Sequence, residues 1–174
     1  MADQKLELHQ GDITQLTVDA IVNAANSELR PGGGVCGAIH RAAGPELAEA
    51  CRQVGGCPTG EARITPGFSL PSAHVIHAVG PVWQGGSQGE DEALANCYRN
   101  SLRLADENGL DSIAFPAIST GIFGFPADRA AEIAVSSVQR ELRARERPTR
   151  VIFCVFDADT AAVYQDLLPS GSTQ

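Results

Sequence analysis

Two short stretches of this chain are rich in the residue that lets main-chain N–H groups crowd around an anion. The first is Arg30-Pro31-Gly32-Gly33-Gly34, continued by Val35-Cys36-Gly37-Ala38; the second is Ser119-Thr120-Gly121-Ile122-Phe123-Gly124. Glycine permits positive φ and close approach of a ligand to the backbone. Free N–H groups at loop-to-helix junctions bind phosphate oxygens without help from a cationic side chain. Two such loops facing one another can hold a diphosphate from both sides. Each taken alone reads as a tight turn; the pair, each between a predicted strand and a predicted helix, favours the ligand reading. The chain has no G-x-x-x-x-G-K-[ST] and no G-x-G-x-x-G opening its first βα turn. That disfavours ATPase, kinase and Rossmann dinucleotide chemistry.

Other candidates stand where strands are expected to end. Gly11-Asp12-Ile13-Thr14 follows a first strand, and Asp12 suits either an acceptor for an exocyclic amine or a turn cap. Asn23 and Asn26 follow a second, offering amides for ribose hydroxyls or a water, or for local backbone bonds. Phe156 ends the most apolar strand and suits base stacking or the core. His74 and His77 fall on opposite faces of a strand by period, which argues against a metal pair, and His40 reads as structural. Trp83 either covers the cleft or caps the surface. The five cysteines, an odd number with no CxxC, suggest free thiols rather than a disulfide framework or a zinc site.

These residues need a scaffold. Strands are predicted at 5–9, 18–22, 61–65, 74–79, 112–115 and 151–156. Helices are predicted near 38–43, 45–54, 92–108 and 127–145, with a last one capped by Asp159 and running to Leu168. Alternation of strand and helix argues for an α/β fold with a mostly parallel sheet, whose ligands bind beyond the carboxyl ends of the strands. A length of 174 residues and 43% hydrophobic content fit one domain over 1–170, with 171–174 as a frayed tail. The start lacks a secretory signature and no apolar run is long enough to span a bilayer, so the expected location is the cytoplasm. A net charge of -8 argues against strong nucleic-acid binding.

The stretches Gly11–Thr14, Val18–Asn26, Gly32–Gly44, Cys57–Ala62, His77–Trp83 and Phe115–Pro126 together closely resemble the macrodomain family, MacroD-type subgroup, in register over nearly the whole chain. The resemblance implies a three-layer α/β/α fold with a mixed, mostly parallel central sheet and a cleft for ADP-ribose. It implies adenine at Asp12, Ile13 and Phe156. It also implies diphosphate between the loops carrying Gly33, Gly34, Val35, Gly37, Ala38 and Ser119, Thr120, Gly121, Ile122, Phe123, and distal ribose near Asn23, Asn26 and Phe125. Relatives hydrolyse O-acetyl-ADP-ribose or remove mono-ADP-ribose from acidic side chains of proteins, with no cofactor or metal. One departure bears on catalysis. The subgroup carries aspartate where this chain has Cys36. A carboxylate positions or activates the attacking water, whereas a neutral thiol is a weak acceptor. As a thiolate Cys36 can accept a proton or attack an acetyl ester. The resemblance therefore leaves two readings: a hydrolase using Asn26 and Cys36, or a module that binds without turnover.

Overall fold

Six strands and five helices position the candidate residues. The structure is a computed structural model and describes residues 4–121 and 123–168. The expected frayed tail and Ile122 lie outside those residues. In chain order the elements are β1 (Lys5–Gln10), a 3-10 turn (Ile13–Gln15), β2 (Ala20–Ala24), α1 (Gly34–Ala43), α2 (Pro45–Val54), β3 (Ala62–Pro66), β4 (His74–Ala78), α3 (Glu90–Glu107), β5 (Ser112–Phe115), α4 (Ala127–Arg143), β6 (Arg150–Val155) and α5 (Ala158–Leu167). The sheet order is β1-β6-β5-β2-β4-β3. All neighbouring pairs are parallel except β3 with β4.

Parity along each strand builds the three layers. Ala20 and Val22 of β2, Ile76 and Ala78 of β4 and Phe153 of β6 pack with Leu94, Tyr98, Ala134 and Tyr164, on the side of α3, α4 and α5. Ile21, Val75, Ala114 and Ile152 pack on the opposite face with Ile39, Leu47 and Cys51 of α1 and α2. The inner strands are covered on both faces, which is why they read as apolar runs rather than alternating ones.

Local signals set most boundaries. Pro45 begins α2 and Gly55, in the left-handed region at φ 90°, ends it. α1 starts earlier than its apolar spacing predicts, because its first turn is Gly34-Val35-Cys36, which carries little helical signature. The cap of α5 is Asp157 rather than Asp159: Asp157 Oδ1 accepts from Thr160 N at 2.7 Å. β6 stops at Val155, one residue short of Phe156, and that leaves Asp157 free to cap. No helix among the described residues is long and apolar enough to cross a membrane.

Candidate functional site

A cleft of about 740 Å³ lies beyond the carboxyl ends of β1, β6, β5 and β2. These strands are neighbours in that order, so the cleft crosses three inter-strand spacings, roughly 14 Å. At one end stand Asp12 and Ile13 after β1, with Phe156, Asp157 and Thr160 after β6. At the other stand Ala24, the last residue of β2, and Ala25 and Asn26 after it. The two glycine loops form the long walls: Gly32 to Cys36 with Ala38 on one side, and Pro116 to Gly121 with Phe123 on the other.

The first wall is the N-terminus of α1. Gly33 is the N-cap, and the first intrahelical bond runs from Gly37 N to Gly33 O at 3.2 Å. The N–H groups of Gly34, Val35 and Cys36 precede that bond and have no carbonyl to meet within the helix. The positive end of the helix macrodipole points the same way. No Lys or Arg lines the cleft among the described residues. An anion there is therefore held by main-chain N–H groups and the helix end.

The second wall is held tightly. Ser119 adopts φ 68°, a strained conformation for a residue with a Cβ, and its buried hydroxyl has no hydrogen-bond partner among the described residues. Phe125 N donates to Ser119 O at 2.8 Å, and Gly124 N to Gly121 O at 3.0 Å. Gly80, two residues past the end of β4, admits this arrangement: a Cβ there would stand 2.1 Å from Ser119 Oγ and 2.7 Å from Ile118 Cγ2.

At the Asn26 end, the carboxamide clasps the N–H and C=O of one residue, Arg30. Asn26 Nδ2 donates to Arg30 O and Arg30 N donates to Asn26 Oδ1, both at 2.9 Å. Each amide group keeps one further hydrogen or lone pair for a ligand. Cys36 Sγ, buried in the first turn of α1, points at the same Arg30 O at 3.7 Å. The cleft's carboxylates, Asp12 and Asp157, lie at the opposite end. Asp12 Oδ1 caps the 3-10 turn, accepting from Thr14 N at 2.9 Å and Thr14 Oγ1 at 2.7 Å. Phe156 is 83% exposed at the rim, not in the core, and its ring face is open to a planar group.

Three expected site residues do not line the cleft. Asn23 is the first: even positions of β2 face α3 and α4, and odd ones face α1 and α2, so Asn23 turns beneath α2. There its Nδ2 lies 3.1 Å from His77 Nδ1 across the β2–β4 register. Gly37 is a packing position, where a Cβ would lie 2.5 Å from Gly32 O. Phe125 is buried and packs at a tilt against Trp83, with 4.8 Å between ring centroids and 53° between their planes. Trp83 thereby supports the second loop from behind and does not cover the cleft. Residues the sequence reading did not single out for the site include Gly80, Cys154 and Thr160. The rule that ligands gather beyond parallel strand ends points to Asp157 beside Phe156; nothing local marks Thr160, and Cys154 lies inside β6.

The Asn23–His77 pair belongs to a buried polar cluster. With Nδ1 accepting from Asn23, His77 carries its proton on Nε2, which faces Thr65 Oγ1 at 3.0 Å and Cys51 Sγ at 3.7 Å. Burial, helped by the nearby His40, lowers the His77 pKa to about 3. The unfolded chain protonates imidazole near pH 6.5. A depressed histidine makes the unfolded state bind more protons, so its stabilising share is complete above that pH and is lost as pH falls toward 3. The expected result is a stability gap between the native chain and His77→Asn that narrows on acidification by at most about 1.4 kcal/mol per pH unit. Chemical denaturation at several pH values measures it; a gap independent of pH contradicts the neutral buried imidazole.

With this geometry in view, comparison with known proteins gives a consistent result. A family model, the Macro domain, matches residues 22–134. A Macro domain-containing protein of Chlorobaculum tepidum is 61% identical over 93% of this chain and 94% of its own length. A protein of Escherichia fergusonii named O-acetyl-ADP-ribose deacetylase is 55% identical over 94% of this chain and 95% of its own. Among solved structures, the Oceanobacillus iheyensis macrodomain with ADP superposes with a TM-score of 0.90 at 46% identity, covering 94% of this chain and 90% of that one. The Trypanosoma brucei macrodomain in complex with ADP-ribose does so with a TM-score of 0.89 at 41% identity, covering 94% and 69%.

Proposed function

The chain belongs to the Macro domain family, and from that premise we propose that it binds ADP-ribose and hydrolyses an ester carried on the distal ribose. The ester is that of O-acetyl-ADP-ribose, of a mono-ADP-ribosylated protein carboxylate, or both. The observation that carries the reading is the cleft itself: one continuous trough running from a carboxylate and an exposed aromatic ring, past helix N–H groups and a strained serine loop, to an asparagine amide. Each segment suits one part of the ligand. Asp12 and Phe156 suit the adenine amine and ring. The first turn of α1 and the Ser119–Phe123 wall suit the diphosphate. Asn26 suits the distal ribose. The relatives named O-acetyl-ADP-ribose deacetylase support the ester chemistry.

The catalytic step needs a water aimed at the ester carbonyl. Asn26 can hold it with the amide hydrogen left over from the Arg30 clasp, and the ligand's own phosphate can accept its proton. The reading is tested by calorimetric titration with ADP-ribose beside turnover assays on O-acetyl-ADP-ribose and on a mono-ADP-ribosylated protein. Binding with release of acetate or ADP-ribose supports it; absence of binding defeats it.

A second reading has its own observation. No carboxylate stands near Asn26 among the described residues lining the cleft, and Cys36 offers a thiol turned toward Arg30 O. Binding without turnover by the native chain identifies a recognition module. At the adenine end, Asp12→Ala is expected to weaken ADP-ribose binding about tenfold, the scale of one hydrogen bond to a charged acceptor. Equal affinity of the variant and the native chain removes Asp12 from the ligand's contacts.

A further inference from the structure

The long loop between β4 and α3 is organised around one buried carboxylate. Glu90, the first residue of α3, is 2% exposed. Its Oε2 accepts from Gln84 N at 2.7 Å and Gly86 N at 3.0 Å, and its Oε1 accepts from Gln88 N at 2.6 Å. Burial works against its charge, yet these N–H donors, with its own, outweigh burial and hold the carboxyl at about 2.

What the loop carries is Trp83. Its N–H donates to Phe123 O at 2.8 Å, and Phe123 lines the cleft. Its ring lies against Phe125, whose N–H holds Ser119 O. Its other neighbour is Arg129, with the guanidinium carbon 5.1 Å from the ring centroid. Arg129 is gripped by Asp91 through Nε at 2.7 Å and Nη2 at 2.5 Å. The N-terminus of α3 thus reaches the second glycine loop by two routes that meet at Trp83. That loop includes Ser119 at φ 68°, a conformation that persists only where its surroundings impose it.

We infer that Glu90 is a positioning residue for the cleft, acting through Trp83 on the second glycine loop. It touches no ligand. It fixes the peptide units of residues 84–88, and these set the height of Trp83 against Phe123 and Phe125. A carboxylate is required because both oxygens face N–H donors; in glutamine one of them becomes an NH2 that faces donors too.

The inference rests on the ADP-ribose reading for its functional arm, and the test keeps the two apart. Trp83 is the chain's only tryptophan, so its emission reports this brace whether or not a ligand binds. Well below the unfolding midpoint, Glu90→Gln is expected to weaken ADP-ribose binding roughly three- to tenfold. It should also shift Trp83 emission to the red and raise its quenching by acrylamide. Glu90→Asp, which keeps the charge, recovers part of both. A merely structural glutamate lowers the midpoint and leaves affinity and emission unchanged in the folded protein, and that result overturns the inference. If the native chain does not bind ADP-ribose, the functional reading fails, and unchanged emission in Glu90→Gln then overturns the brace separately. Should Glu90→Gln not fold, Arg129→Ala removes the cation from Trp83 and leaves the Glu90 bonds in place. It is expected to redden emission and weaken binding, and no change in either overturns the inference.

Discussion

Cys36→Asp is expected to raise the turnover of O-acetyl-ADP-ribose by about two orders of magnitude, the lower end of what a positioned general base contributes. Cys36 sits in the first turn of α1, one wall of the cleft. Its Sγ faces Arg30 O, which also accepts from Asn26 Nδ2. A thiol can donate weakly to that carbonyl; a carboxylate cannot and is repelled by it. The new side chain therefore turns away from Arg30 O toward the cleft, where the free N–H groups of the helix end stabilise its charge by about 0.3–1 kcal/mol. It then stands beside Asn26, ready to accept a proton from a water. Substrate affinity is read separately as KM, because the new carboxylate shares the helix-end N–H groups with the diphosphate, and any weakening falls there rather than on kcat. Steady-state assay of acetate release, with Cys36→Ala as a control, measures the effect. A kcat within twofold of the native value means that the missing carboxylate does not limit the reaction. A loss of turnover in Cys36→Ala would assign the thiol itself a part in the chemistry.

Gly121→Val is expected to weaken ADP-ribose binding by at least about a hundredfold, some 2.7 kcal/mol, while stability stays within the usual range of about 0.5 kcal/mol for exposed substitutions. Gly121 lines the cleft, and a Cβ built on it meets nothing within 4 Å. Its φ lies outside the left-handed region, so the backbone tolerates a side chain. The valine occupies space on the second wall that the diphosphate needs, and the fold gives it no reason to move aside. Gly34 is a less clean site for the same experiment, since its φ of 56° adds backbone strain to occlusion. Calorimetry and thermal unfolding on one preparation separate the two effects. An affinity within threefold of the native chain contradicts the two-walled cradle.

Much of the scaffold was legible because its signals are local. The apolar run 151–156 reads as a buried strand, and β6 covers all of it but Phe156. Pro45 and Gly55 bracket α2 as a proline start and a glycine stop should. The glycine loops were legible for the same reason. What failed to read depended on which face a side chain takes or on a partner far along the chain. Asn23 and Asn26 look alike in sequence and stand three residues apart. Strand parity buries the first against His77 of β4, while the second lies past the strand end on the cleft. Phe125, expected near the distal ribose, is instead buried against Trp83, which arrives from the loop after β4. Phe156 suits base stacking or the core by sequence, and the end of β6 at Val155 leaves it exposed at the rim rather than in the core.

The two glycine loops themselves are marked by residue type. Glycine at 33, 34 and 121 gives a backbone that a ligand can approach, and no long-range contact is needed to say so. That they face one another could be decided only by the sheet. β2 and β5 are separated by β3, β4 and three helices in the chain, yet they pair in parallel. Their carboxyl ends, and the loops that leave them, are thereby brought to one side. Conformational preference acts over a few residues, whereas strand order is set by which apolar faces can be buried together across the whole chain. For that reason residue order alone disclosed two glycine-rich loops at strand ends, and the fold alone made them two walls of one cleft, with Asp12 at one end and Asn26 beside Cys36 at the other.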